Sequence, residues 1–169
     1  MRFRPVRLLL ALAVSVLGLG CASQHFDGHV FQNGELHFRV GPVPAAWRSI
    51  DADYALLAYR NDQSSSTIAL NARCGVDGDD VPLSALTQHL FLEFTDRSQV
   101  SQEPVSLAGR GALRTELVAS LDGVSKRYLV YVLKKDGCVY DFMHIAAGDA
   151  KSPDRADFER FVQGFATLD

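Results

Sequence analysis

The sequence predicts an α+β domain in which an antiparallel β-sheet carries helices on both faces. Two Asp-Gly pairs, Asp122-Gly123 and Asp136-Gly137, divide the second half of the chain into consecutive apolar-rich runs, the pattern of a meander joined by two-residue turns. Those runs are apolar on both alternating faces, so each face needs a cover. Two segments with apolar residues at helical spacing, one before the meander and one after it, supply the covers.

At the start of the chain, Arg2, Arg4 and Arg7 precede the apolar run Leu8 to Leu19, and Gly20-Cys21-Ala22-Ser23 follows. A run of about a dozen apolar residues is short of the ~20 that a transmembrane helix needs, and small residues close it, as in an export signal. The segment resembles a bacterial lipoprotein signal, although Gly18 stands where a leucine is usual, between Leu17 and Leu19. The resemblance implies removal of residues 1–20, fatty acylation of Cys21 with palmitate-like chains, and a short tether over residues 21–28 ahead of a single domain, 29–169. An anchor with more than one acyl chain is stable. Ala22 in place of an aspartate implies, by the same resemblance, the outer membrane, with the domain on its inner leaflet facing the periplasm. Cleavage after Ala22 by an ordinary signal peptidase would instead release the domain without Cys21.

Loss of residues 1–20 leaves 149 residues, the size of one domain, with 14 basic against 20 acidic side chains. A negative balance of this kind argues against nucleic acid and anionic headgroups as partners. Beyond Cys21, only Cys74 and Cys138 remain, and in an oxidising compartment they are expected to form one disulfide. Chain-entropy arguments assign roughly 4 kcal/mol to closing a loop of that length. The bond would tie the N-terminal strands to the meander in one continuous sheet.

Asn33-Gly34, between Val30-Phe31 and the alternating Leu36, Phe38 and Val40, predicts a two-residue type I′ hairpin. Gly41-Pro42-Val43-Pro44 breaks the ladder, and a short strand from Trp47 to Ile50 follows. Ala55 to Arg60 and Thr67 to Arg73 read as the next two strands, separated by a polar turn. A helix is expected from Pro82 to Phe94, with Leu83, Leu86, Leu90, Phe91 and Phe94 on one face and His89 at the surface. The meander then runs through Ala112 to Leu121, Val124 to Lys135 and Cys138 to Ala146. Two-residue turns place Leu121, Leu117 and Leu113 opposite Val124, Tyr128 and Val132, with Met143 and Ile145 on the same face. Leu129, Tyr131 and Leu133 then oppose His144, Phe142 and Tyr140 on the other. A last helix, capped by Ser152 and opened by Pro153, carries Phe158, Phe161, Val162, Phe165 and Leu168 as its apolar stripe.

This order, with LHFRVGPVPAAW at Leu36 to Trp47, DGCVYDF at Asp136 to Phe142 and FERFVQGFATL at Phe158 to Leu168, resembles the PsbP-like fold over nearly all of the mature chain. The resemblance implies an α/β/α sandwich and a role in binding proteins or assisting assembly, without shared catalytic residues.

No nucleophile elbow, phosphate-cradling glycine loop or histidine pair at helical spacing is present. Gly109-Arg110-Gly111 reads as a loop before a strand. Asp77, Asp79 and Asp80 could offer oxygen ligands to a hard cation, but the glutamate that closes an EF-hand is missing, and helix-dipole stabilisation accounts for Asp79 and Asp80. His25 and His29 read as solvated tether residues rather than metal ligands. Asp141, placed opposite Val132 and diagonal to Lys134, is expected in an ion pair rather than as a general base, since no second acid is placed beside it. Trp47, Tyr54 and Tyr59 are expected to pack in the core. The sequence therefore predicts a non-catalytic, membrane-anchored envelope lipoprotein that binds an envelope protein or assists assembly or transport, with no cofactor. The alternative is a periplasmic small-molecule carrier or enzyme with a site between sheet and helix.

Overall fold

Three hairpin turns set the register of the large sheet. Ala108-Gly109, Asp122-Gly123 and Asp136-Gly137 hold both of their residues at positive φ, between 49° and 77°, the geometry whose twist matches that of the flanking strands. The computed structural model describes residues 24–75, 80–147 and 154–169. The elements are β1 (His25–Phe26), β2 (Val30–Gln32), β3 (His37–Arg39), β4 (Arg48–Ser49), β5 (Leu57–Asn61), β6 (Ser66–Cys74), α1 (Leu83–His89), β7 (Thr95–Leu107), β8 (Arg110–Leu121), β9 (Val124–Lys135), β10 (Cys138–Ala147), α2 (Arg155–Gln163) and β11 (Ala166–Thr167). Among the described residues the strands form a seven-stranded sheet, ordered β4-β5-β6-β10-β9-β8-β7, and a four-stranded sheet, ordered β1-β2-β3-β11.

The meander has the register that its turns demand. Leu121, Leu117 and Leu113 oppose Val124, Tyr128 and Val132, and Tyr140, Phe142 and His144 oppose Leu133, Tyr131 and Leu129. β6 joins its outer edge with Cys74 directly opposite Cys138. The two cysteines are bonded, their Cα atoms 4.0 Å apart. One core layer, with Leu117, Tyr128, Val130 and Val132, lies under α1; the other, with Leu133, Tyr140, Phe142, Phe158 and Phe161, lies under α2 and the small sheet. Helices on both faces of an antiparallel sheet are the predicted class.

Several local expectations differ from the structure. Asn33-Gly34 is not a type I′ turn, since neither residue has positive φ. The Asn33 side-chain oxygen accepts instead from the Glu35 and Leu36 amides, at 2.9 and 2.7 Å, in a four-residue loop. The first hairpin does not extend the large sheet: the Gly41 to Pro44 break turns the chain away, and β3 pairs with β11. β1 already pairs with β2 inside the segment expected to be tether. α1 is shorter than predicted. After His89 the bonds tighten to three-residue spacing, Leu90 to Thr87 and Phe91 to Gln88, and this swings Phe91 and Phe94 edge-on to Tyr128 at 5.2 and 5.4 Å. The strand β7 adds a fourth member to the meander through Ala108-Gly109, so the glycine-containing loop ahead of β8 is a hairpin turn.

The terminal helix also stops early, and its end explains a glycine pair. The Gly41 amide donates to the Phe161 carbonyl at 2.9 Å. A Cβ on Gly41 would lie 2.0 Å from the Arg160 carbonyl oxygen, and one on Gly164 would lie 2.3 Å from the Gly41 Cα. Bare backbone on both sides lets α2 seat against the ladder break. Beyond Gly164, Leu168 is not on a helical stripe; its amide donates to the His37 carbonyl at 2.8 Å as the chain runs beside β3. Ser152 and Pro153 lie outside the described residues. Gly41→Ala or Gly164→Ala is expected to cost about 3 kcal/mol, the scale of forced overpacking. Urea unfolding measures it, with Gly111→Ala, where no atom lies within 4 Å of the added Cβ, as the mild comparison.

Candidate binding cleft between sheet and helix

The α2 face of the large sheet presents two rows of side chains that run across adjacent strands. Glu116 on β8 opposes Leu129 on β9, which opposes His144 on β10; the next row sets Val118, Arg127 and Ala146 side by side. α2 enters above these rows at a fixed place, because its preceding residue is turned away from the helix. Asp154 accepts from the Asn61 amide nitrogen at 3.3 Å and from the Ser64 hydroxyl, so the β5–β6 turn holds the start of the helix. The next residue, Arg155, projects over the sheet.

The result is a cleft of about 370 Å³ lined by Val100, Glu116, Arg127, Leu129, His144, Ala146 and Arg155. Glu116, whose side chain is only 13% exposed, takes Arg127 Nη1 on one oxygen at 2.9 Å and Arg155 Nη1 on the other at 3.0 Å. Arg155 Nε reaches Glu159 at 3.2 Å. Arg114 extends the network, with Glu103 at 2.9 Å and the Tyr131 hydroxyl at 3.0 Å. Three guanidiniums, Arg114, Arg127 and Arg155, thus meet three carboxylates, Glu103, Glu116 and Glu159, and the network is balanced in charge.

His144 is the chemically unusual member. It is 4% exposed, its ring stacks on Phe158 at 5.5 Å and meets Trp47 edge-on at 6.5 Å. Its Nε2 is buried without a hydrogen-bond partner among the described residues. Such an atom costs about 1–3 kcal/mol. Burial pushes the imidazole below its usual 6.5, outweighing the opposite pull of Asp154 and Glu159. A second cleft of about 400 Å³ lies on the α1 face. Among its lining side chains Gln102 donates to Thr115 at 3.0 Å and Arg97 to the Phe91 carbonyl at 3.1 Å; the buried, unpartnered nitrogen of His144 makes the α2-face cleft the better candidate.

Cys21, Asp77 and Asp79 lie outside the described residues. Asp80 is exposed, and among the described residues no group of three His, Cys, Asp or Glu is placed to hold a metal. Asp141 is buried, with one oxygen 3.1 Å from Arg73 Nη1, on the α1 face and away from the cleft. Trp47 packs beneath α2 and donates to Asp157 at 2.9 Å, and Tyr59 packs against Phe161. Tyr54 departs from the expected core role: it is 94% exposed, in a turn where its φ is 66°. Glu116, Arg127 and Arg155 carry no motif that marks them in the sequence. Register arithmetic places Glu116 in the His144 row, and a carboxylate in that row was the available signal; nothing local places Arg155.

No family model matches the chain, and no curated protein does. Solved structures do. Cyanobacterial PsbP (CyanoP) from Synechocystis sp. PCC 6803 superposes with a TM-score of 0.55 at 14% identity, covering 91% of this chain and 98% of that one. The fold is PsbP-like. A protein from Bacteroides thetaiotaomicron VPI-5482 gives 0.56 at 10% identity, over 78% of this chain and 45% of that one. Protein PA94 of unknown function from Pseudomonas aeruginosa gives 0.50 at 10%, over 79% and 92%. In this PsbP-like domain the cleft is described by its own residues, since likeness at such identity speaks to the fold.

His144→Phe is expected to stabilise the fold by about 1 kcal/mol, since it removes the orphan nitrogen and keeps the stack with Phe158. The pH dependence has a definite sign. An unfolded chain takes up a proton near pH 6.5 that the folded ring resists, so the unfolded state binds more protons and stability falls as pH drops from about 6.5 toward the lower folded value. Chemical denaturation at pH 7.5 and 5.5 should show this fall flattened in His144→Phe. An equal fall in both proteins would assign the acid sensitivity to other groups.

Proposed function

We propose that the chain is a non-catalytic lipoprotein of the bacterial cell envelope, anchored through Cys21, whose PsbP-like domain binds an envelope protein or assists assembly or transport beside the membrane. The observation that carries the reading is the N-terminal arrangement: an arginine-led apolar run closed by Cys21, with β1 starting at His25. Only Ala22, Ser23 and Gln24 separate the anchor from the first strand, so the domain would lie within roughly 15 Å of the bilayer. The Cys74–Cys138 bond supports an oxidising compartment, and Ala22 supports the inner leaflet of the outer membrane. The anchor supplies the membrane partner.

The cleft between sheet and α2 favours a second reading, a periplasmic small-molecule carrier, because a buried polar atom without a partner in a concave site is a feature that core packing does not require. Intact mass of the membrane-extracted protein tests the anchor. A chain beginning at Cys21 with the added mass of more than one acyl chain, absent from Cys21→Ser, is expected; an unmodified chain beginning at Ser23 would remove the anchor and the membrane-proximal role.

A further inference from the structure

We propose that the turn between β4 and β5 is a second contact with the bilayer, in which the Tyr54 ring seats at the headgroup level of a zwitterionic lipid surface and Asp51 and Asp53 face the headgroup ammonium groups. The inference rests on the Cys21 anchor of the proposed function and adds the side on which the domain lies. Placement is its first support. Gln24 and Phe26 line a cleft of about 410 Å³ together with residues 49–53 and 55–58 of the turn and its flanks. Gln24 stands three residues after Cys21, a stretch that spans at most roughly 11 Å. The turn is therefore carried beside the point of attachment.

The side chain itself is the second support. Tyr54 is the most exposed of the large apolar side chains among the described residues, and Val100, Leu121 and Val124, also exposed, belong to β7, β8 and β9, toward the opposite edge of the large sheet. The Ala55 amide donates to the Ala52 carbonyl at 3.3 Å, which makes Tyr54 the third residue of a β-turn with its φ at 66°. That position calls for glycine or asparagine, and a bulky residue there strains the backbone. The domain gains no packing from a ring so exposed, so the strained turn holds out an aromatic side chain whose use lies outside the domain. An apolar ring with a polar hydroxyl suits the headgroup level of a bilayer. Charge selects the lipid. Asp51 and Asp53 are exposed on either side of Ala52; an anionic surface repels them, whereas a zwitterionic surface offers an ammonium to each.

The experiment uses the mature chain from residue 21. With Cys74 bonded to Cys138, Cys21 is its free thiol, and coupling it to a maleimide lipid attaches the domain at the same point whether or not the cell acylates it. The coupled protein, checked by intact mass, is placed on phosphatidylcholine nanodiscs carrying a trace of gadolinium-chelate lipid, and amide relaxation enhancement is read. Gln24 reports the tether. The amides of residues 51–55 are expected to be enhanced above those of Val100 and Val124; Tyr54→Gly should lose most of that enhancement while Gln24 keeps its own, and Tyr54→Trp should retain it. Relief of the turn should raise the Tm of Tyr54→Gly by about 2 °C. Replacing half of the lipid with phosphatidylglycerol should weaken the enhancement at residues 51–55. Enhancement there no greater than at Val100 and Val124, equal enhancement in Tyr54→Gly, or stronger enhancement on phosphatidylglycerol each overturns the proposal and leaves the Cys21 anchor standing. A fall in the Tm of Tyr54→Gly assigns the ring to the fold and overturns it too. Failure of the anchor is read separately, as an unmodified chain in the mass of the membrane-extracted protein, and removes both readings.

Discussion

β6 and β10 pair without interruption from Cys138 opposite Cys74 to Ile145 opposite Thr67, and at that ladder the two halves of the chain become one sheet. On one side stand β4 and β5, short strands whose hairpin has little core of its own; on the other stands the meander, whose hairpins close locally. Contacts between strands distant in sequence carry the largest loop-closure entropy, and the disulfide lies at the end of the ladder, where it removes part of that entropy from the unfolded chain. The small sheet and α2 then pack on the surface that this junction completes. Phe38 meets Tyr140 at 5.9 Å and Phe161 meets Phe142 at 6.2 Å, and both of those partners belong to β10.

The same junction builds the cleft. The turn that joins β5 to β6 holds Asp154, and Asp154 fixes where Arg155 enters. One residue anchors the helix and its neighbour arms the site. Glu116 then fixes both arginines in one arrangement, which is the preorganisation that ligand sites on regular elements require. An isolated ion pair would do less, because long side chains at a surface lose entropy on pairing.

Legibility in the sequence followed the range of the controlling interaction. Asp122-Gly123 and Asp136-Gly137 carry their turn geometry locally, so the rows of the meander, including His144 opposite Leu129, are legible in the amino-acid order alone. Ala108-Gly109 adopts the same turn without the side-chain signal, because alanine cannot hydrogen-bond its own backbone. Asn33-Gly34 carries that signal and builds a different loop, since the Asn33 side chain satisfies two amides at once. The helical spacing of Phe161, Phe165 and Leu168 is real periodicity with a wrong boundary: Gly164 is dictated by Gly41, which is 123 positions away and invisible to a local window. Of the cleft, the sheet rows are accessible to register arithmetic; the place where α2 crosses them is not, being set by Asn61 and Ser64 acting on Asp154.

Native-state amide exchange with denaturant, on the oxidised protein and on the reduced protein, tests the β6–β10 junction most directly. The amides of β6, β10 and β9 should exchange only through one common global opening, and reduction of Cys74–Cys138 should lower its free energy by up to about 4 kcal/mol while keeping those strands in one unit. If β6 instead exchanges through its own smaller opening while β9 and β10 stay protected, the N-terminal strands are an appendage of the meander, and the junction does not hold the fold together.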